Sequence, residues 1–105
     1  MRISDALATA RPFFSFEFFP PKDEDGSRQL FATIEALQPL RPAFVSITYG
    51  AGGSTRARTL ALAKQIQQET GLTVVAHVTC VGSSRSELRS LFDDLARAEI
   101  GRAHV

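Results

Sequence analysis

Glu17 lies within Phe13-Phe14-Ser15-Phe16-Glu17-Phe18-Phe19, just ahead of Pro20-Pro21, so an ionisable carboxyl stands in the most apolar stretch of the chain. Charging a carboxylate away from water is costly. A buried Glu is therefore paired, or else holds its proton toward neutral pH and becomes a usable acid. From the residues alone both roles stay open for Glu17: a structural carboxylate paired with an Arg, or a catalytic acid whose apolar neighbours tilt the choice. His77, in a second apolar run, reads first as a hydrogen-bonded core histidine and only then as a base. No second His, Cys or carboxylate lies near it at ligand spacing, so a metal is not expected. Thr48 and Tyr49 end a β-branched run, where their hydroxyls suit polar ligand contacts and ordinary capping alike. Next comes Gly50-Ala51-Gly52-Gly53-Ser54-Thr55, which places unhindered backbone amides before a helix N-terminus, where an anion can be held. The loop lacks the Lys of a P-loop and the full dinucleotide fingerprint, and a glycine-rich turn with a capping Ser is the commoner explanation.

The surrounding pattern supplies the elements that must hold these groups. Ser4 to Ala10 suits a short helix capped by Ser4 or Asp5, and Pro12 forces an extended entry into the first strand. Phe13 to Phe19 reads as that strand, stopped by Pro20-Pro21, and Lys22 to Gly26 as a charged loop. From Ser27, Leu30, Phe31, Ile34 and Leu37 recur at helical spacing until Pro39. Ala43 to Tyr49 is the second strand, followed by a helix from Ser54 or Thr55 to Gly71. Leu72 to Cys80 is the third, and Ser84 with Glu87 makes a capping box ahead of Leu88, Leu91, Phe92 and Leu95.

Glu17 to Thr48 is 31 residues and Thr48 to His77 is 29, each the length of one strand–helix repeat. Side chains alternate along a strand, so Ser15 and Glu17 share one face and Phe14, Phe16 and Phe18 the other. Likewise Ser46 and Thr48 oppose Val45 and Ile47, while Val75, His77 and Thr79 oppose Val74, Ala76 and Val78. One face of each strand is wholly apolar, as where helices cover it, and the other turns polar toward its C-terminal end. The fold class expected is α/β, a parallel sheet of βα-barrel type whose ligands lie over the C-terminal strand ends. An open doubly wound sheet would bind at the same end.

Composition narrows the function. The 105 residues are 44% hydrophobic and 22% charged, ordinary values for a soluble globular chain of one domain or part of one. Twelve basic against eleven acidic side chains, without a Lys/Arg run, point to neither nucleic acid nor an anionic membrane, which leaves a small-molecule ligand. The single Cys80 rules out an intrachain disulfide, and no signal peptide or membrane span is recognisable, so a cytoplasmic protein is expected.

The motifs Ser15-Phe16-Glu17-Phe18-Phe19-Pro20-Pro21-Lys22, Val45-Ser46-Ile47-Thr48-Tyr49-Gly50-Ala51-Gly52-Gly53-Ser54-Thr55 and Ala76-His77-Val78-Thr79-Cys80 together resemble the bacterial methylenetetrahydrofolate reductase family. Three motifs in the right order and spacing, over about the first 98 residues, are far more specific than one. The resemblance implies an eight-stranded βα (TIM) barrel carrying FAD, of which this chain holds the first three βα units. It implies that Glu17 protonates N10 of 5,10-methylenetetrahydrofolate and opens the ring to a 5-iminium cation, which reduced flavin then converts by hydride transfer to 5-methyltetrahydrofolate. It further implies that Thr48 contacts the nicotinamide cofactor, NADH or NADPH, that Tyr49, Ala51 and His77 hold FAD, and that the parent is a homo-oligomer. The rival reading is a non-catalytic βα module that binds a phosphate or nucleotide at the Gly50–Gly53 loop, with Glu17 structural.

Two departures qualify the likeness. The family continues with five more strands, including an Arg-Gly-Asp loop after the fourth, and three units leave an open sheet edge. In addition, Glu99-Ile100-Gly101-Arg102-Ala103-His104-Val105 back-translates as a common sequencing adapter behind a single G. Residues 1–98 are therefore expected to be the N-terminal part of the barrel and residues 99–105 a non-native read-through tail, on which His104 has no function.

Overall fold

The first three strands draw on β-branched and aromatic residues, and the helices that begin at Glu24 and Arg85 each start behind a capping side chain. The computed structural model describes residues 2–9, 13–49 and 56–104. Helix α1 (Ile3–Thr9) leads into β1 (Ser15–Phe18) and α2 (Glu24–Leu37), with a 3-10 turn at Gln38–Leu40. Strand β2 (Phe44–Ile47), α3 (Arg56–Thr70), β3 (Val74–Val78), α4 (Arg85–Arg97) and β4 (Gly101–His104) complete the chain order. The strands form one sheet in the order β1-β2-β3-β4, every pair parallel.

The alternation holds. Phe16 and Phe18, Val45 and Ile47, and Val74, Ala76 and Val78 all belong to one core with Leu30 and Ile34 of α2, Leu62, Ala63 and Ile66 of α3, and Leu91 and Leu95 of α4. All three long helices thus cover the same face. Ile34, Ile47, Ile66 and Leu95 are essentially inaccessible to solvent, and burying each such side chain stabilises the fold by about 1.5–3 kcal/mol.

The helix ends differ from expectation in instructive ways. Ser4 and Asp5 lie inside the first turn of α1, which begins at Ile3, so neither is its cap. Helix α2 starts a turn before Ser27: Asp23 accepts the Gly26 N–H at 2.7 Å, and Glu24 and Asp25 complement the positive end of the helix. The acidic stretch taken for a loop is thus a helix start. A Cβ at Gly26 would stand 3.1 Å from the Pro21 side chain, so a larger residue there requires the proline to shift by a few tenths of an ångström. Ser84 caps α4 as expected, accepting the Glu87 N–H at 3.2 Å. The caps expected for α3, Ser54 and Thr55, lie outside the described residues.

Beyond the three expected units, Gly101–His104 adds β4 to the sheet, with Gly101 opposite Val75 and His104 opposite Val78. The free edge of β3 explains this: unpaired N–H and C=O groups accept an extended segment whatever its side chains. Ile100, 5% exposed, joins the core beside it. Helix α4 closes when Ile100 N–H reaches Leu95 O and Glu99 N–H reaches Ala96 O, a Schellman arrangement with Glu99 at φ 58°. Helix α3 ends on Gly71, at φ 72°, the residue type such a position favours.

Candidate functional site

The sheet face opposite the core carries the polar groups. Parallel register sets Glu17 of β1 beside Ser46 of β2, and Ser46 beside Val75 of β3, with His77 two residues further along. Two side chains converge on one carboxylate oxygen: Ser46 Oγ donates to Glu17 Oε1 at 3.1 Å, and His77 Nε2 stands 3.1 Å from the same atom. The contact between Glu17 and His77 passes over the intervening strand. Residues 29, 31 and 60 positions apart in the chain thereby become a single polar cluster.

The surroundings of Glu17 correct one premise. The phenylalanines do not enclose it; alternation turns Phe16 and Phe18 into the core, and the Glu17 side chain is 54% exposed. Phe14 and Phe19 are themselves exposed. An apolar wall is thus replaced by a hydroxyl and an imidazole, of which Ser46 is 8% exposed and the His77 side chain 18%. Such a pair can hold or pass a proton, since the imidazole and the carboxyl each donate or accept according to where the proton resides.

Thr48 comes just after β2, and because Ile47 pairs with Ala76, the next step of register sets Thr48 alongside His77. Its N–H donates to Phe18 O at 2.9 Å, and its carbonyl accepts the buried Thr59 hydroxyl at 3.2 Å. The strand end is thus tied to α3. Half-buried Tyr49 borders a small void that His77 and Leu60 also line. Ala51 and the rest of the Gly50–Thr55 loop lie outside the described residues. The clefts between α2 and α3, lined in part by Lys22 and Arg58 or by Phe31 and Glu35, hold none of these groups. Among the described residues, no three His, Cys, Asp or Glu side chains cluster as metal ligands, and no helix is long and apolar enough to cross a membrane.

Ser46 is the member of the cluster not singled out from sequence as a site residue. The signal was available: it shares the polar parity of Thr48 and stands 29 residues after Glu17. Only the register, which places it directly beside Glu17, separates it from an ordinary strand serine.

The family profile described as Methylenetetrahydrofolate reductase matches residues 2–102. A 5,10-methylenetetrahydrofolate reductase of Pectobacterium carotovorum is 45% identical over 80 residues, covering 76% of this chain and 27% of that protein. The protein of the same description from Escherichia coli K12 is 42% identical over 80 residues, with the same coverage. A rice protein described as a probable methylenetetrahydrofolate reductase (NADH) is 42% identical over 79 residues, 75% of this chain and 13% of that protein. The chain thus spans about a quarter of the length of its bacterial relatives.

Proposed function

The chain belongs to the methylenetetrahydrofolate reductase family, and from that premise we propose that its intact parent reduces 5,10-methylenetetrahydrofolate to 5-methyltetrahydrofolate with FAD and NAD(P)H. The observation that carries the reading is the convergence of Glu17, Ser46 and His77 on the open polar face of the sheet. In this reading Glu17 gives its proton to N10 of the folate. The leaving amine is thereby neutralised as its bond to the one-carbon unit opens. His77 keeps the carboxyl turned along the sheet toward the C-terminal strand ends, where a substrate of a parallel α/β sheet is expected.

The residues at those ends suit a flavin. Thr48 and His77 stand side by side at the ends of β2 and β3, offering a hydroxyl and one ring nitrogen not engaged by Glu17, and Tyr49 follows beside the void that His77 and Leu60 line. Thr48 would contact the nicotinamide cosubstrate, while Tyr49, His77 and Ala51 would hold FAD. When bound, FAD supplies the hydride chemistry that no side chain of this chain can provide. Support for a barrel comes from the sequential parallel order and from α2, α3 and α4 packing on one face only. A closed barrel would turn the half-exposed Glu17 into an enclosed cavity. The fragment itself is read as inactive, lacking most of that enclosure.

Residues 1–98 are read as the N-terminal part of the barrel and 99–105 as a read-through tail. Glu99 supports this reading: it occupies a left-handed helix end that glycine favours, and a glycine codon begins with the G that precedes the adapter bases. The nucleotide sequence of the gene tests it, and codons that depart from the adapter would remove the idea.

The test of the catalytic reading is Glu17→Gln in the full-length parent. Folate reduction should fall by about 10²–10⁴-fold, the usual worth of a general acid, while reduction of the flavin by nicotinamide is largely kept. Full folate activity would overturn the reading and favour the non-catalytic module.

A further inference from the structure

The contacts to Glu17 are lopsided. Ser46 Oγ and His77 Nε2 both meet Oε1, each at 3.1 Å, and among the described residues no hydrogen bond or ion pair reaches Oε2. An oxygen already accepting a hydrogen bond, with a ring nitrogen against it, is the poorer place for a further proton, so the acid form of Glu17 carries its hydrogen on Oε2.

We propose that Ser46 is a positioning residue: its hydroxyl ties down Oε1 so that Oε2 presents the acid proton. The inference rests on Glu17 being the acid of the proposed reaction. Three features of the structure support it. Ser46 is directly opposite Glu17 in the register, so its hydroxyl is delivered by rigid main-chain pairing rather than by a loop. It is 8% exposed, a setting in which a hydroxyl needs a partner, and Glu17 is the partner it has. The terminal torsion of a Glu is broad and nearly two-fold, so without a directional bond the two oxygens exchange places easily. His77 alone leaves that exchange open, because its ring nitrogen donates or accepts with the protonation state. A serine hydroxyl bound to Oε1 favours one orientation in both states of the acid.

The experiment uses the full-length flavoprotein and tracks the two half-reactions separately by stopped flow, with Glu17→Gln, Ser46→Ala and Ser46→Thr in parallel. Ser46→Ala should slow folate reduction roughly 3- to 10-fold, the loss of one net hydrogen bond in the transition state. The KM for folate and the rate of flavin reduction by nicotinamide should stay within about two-fold, and Ser46→Thr, which keeps the hydroxyl, should recover most of the rate. If Glu17→Gln abolishes folate reduction while Ser46→Ala leaves it unchanged, the positioning role is overturned and the proposed function stands. If both variants keep full folate activity, the proposed function fails and the positioning role with it. Loss of both half-reactions in Ser46→Ala would assign Ser46 to the frame of the sheet, which also overturns the inference.

Discussion

Replacing Glu99 by glycine should make the chain more stable, although it deletes a side chain and adds no contact. Glu99 sits at φ 58° and its side chain is exposed, so backbone strain is the main quantity at stake. A left-handed backbone costs a non-glycine residue about 1–2 kcal/mol. Glycine loses more freedom on folding, which offsets about 0.4–1 kcal/mol of that relief. The net gain is roughly 0.5–1 kcal/mol, or a rise in Tm of about 2–8 °C for a domain of this size. The reciprocal control is Gly71→Ala. There φ is 72° and an added Cβ meets nothing within 4 Å, so the same conformational term acts alone with the opposite sign. Urea unfolding of the three chains, monitored by circular dichroism, measures both changes. Should Glu99→Gly prove neutral or destabilising while Gly71→Ala destabilises, residue 99 does not close α4 in the left-handed conformation, and the inference from that conformation to a foreign tail is refuted.

Two further perturbations test the frame. Ile66→Ala, at a site with no solvent exposure between α3 and the sheet, should cost about 2–5 kcal/mol in the same urea assay; a loss below about 1 kcal/mol would mean that α3 does not seal the core. Ser84→Ala should cost about 0.5–2 kcal/mol by freeing the Glu87 N–H at the start of α4, and Ser84→Asn should recover most of it.

Much of this arrangement was legible in the sequence because a strand's period of two sorts side chains without knowledge of their partners. The parity of Phe16, Val45 and Val74 against Glu17, Ser46 and His77 is read directly from the chain, and the near-equal spacing of the units implied parallel pairing. What was misread depends on neighbours in space. Phe16 and Phe18 are adjacent to Glu17 in sequence but turned to the other face, so apolar flanks did not mean an apolar environment. Asp23 looked like part of a charged loop because its capping role depends on the backbone bend that brings the Gly26 N–H to it. The partnership of Ser46 with Glu17 required register, which alternation within a strand does not specify. A fourth strand at residues 101–104 was not expected, since main-chain pairing at an open edge leaves no mark in residue type.

The contact between Glu17 and His77 crosses an entire strand, and that makes it a witness to assembly. No state in which β1 and β3 have formed but β2 is missing can make it at this distance, and no local segment contains both partners. Resonances of the His77 ring would therefore track completion of the three-strand ladder, the slow, non-local event in folding, while amide signals from α2 or α3 could mature earlier on their own. The same imidazole would tell a ribosome-bound or refolding chain with all three strands in place from one still waiting for its middle strand.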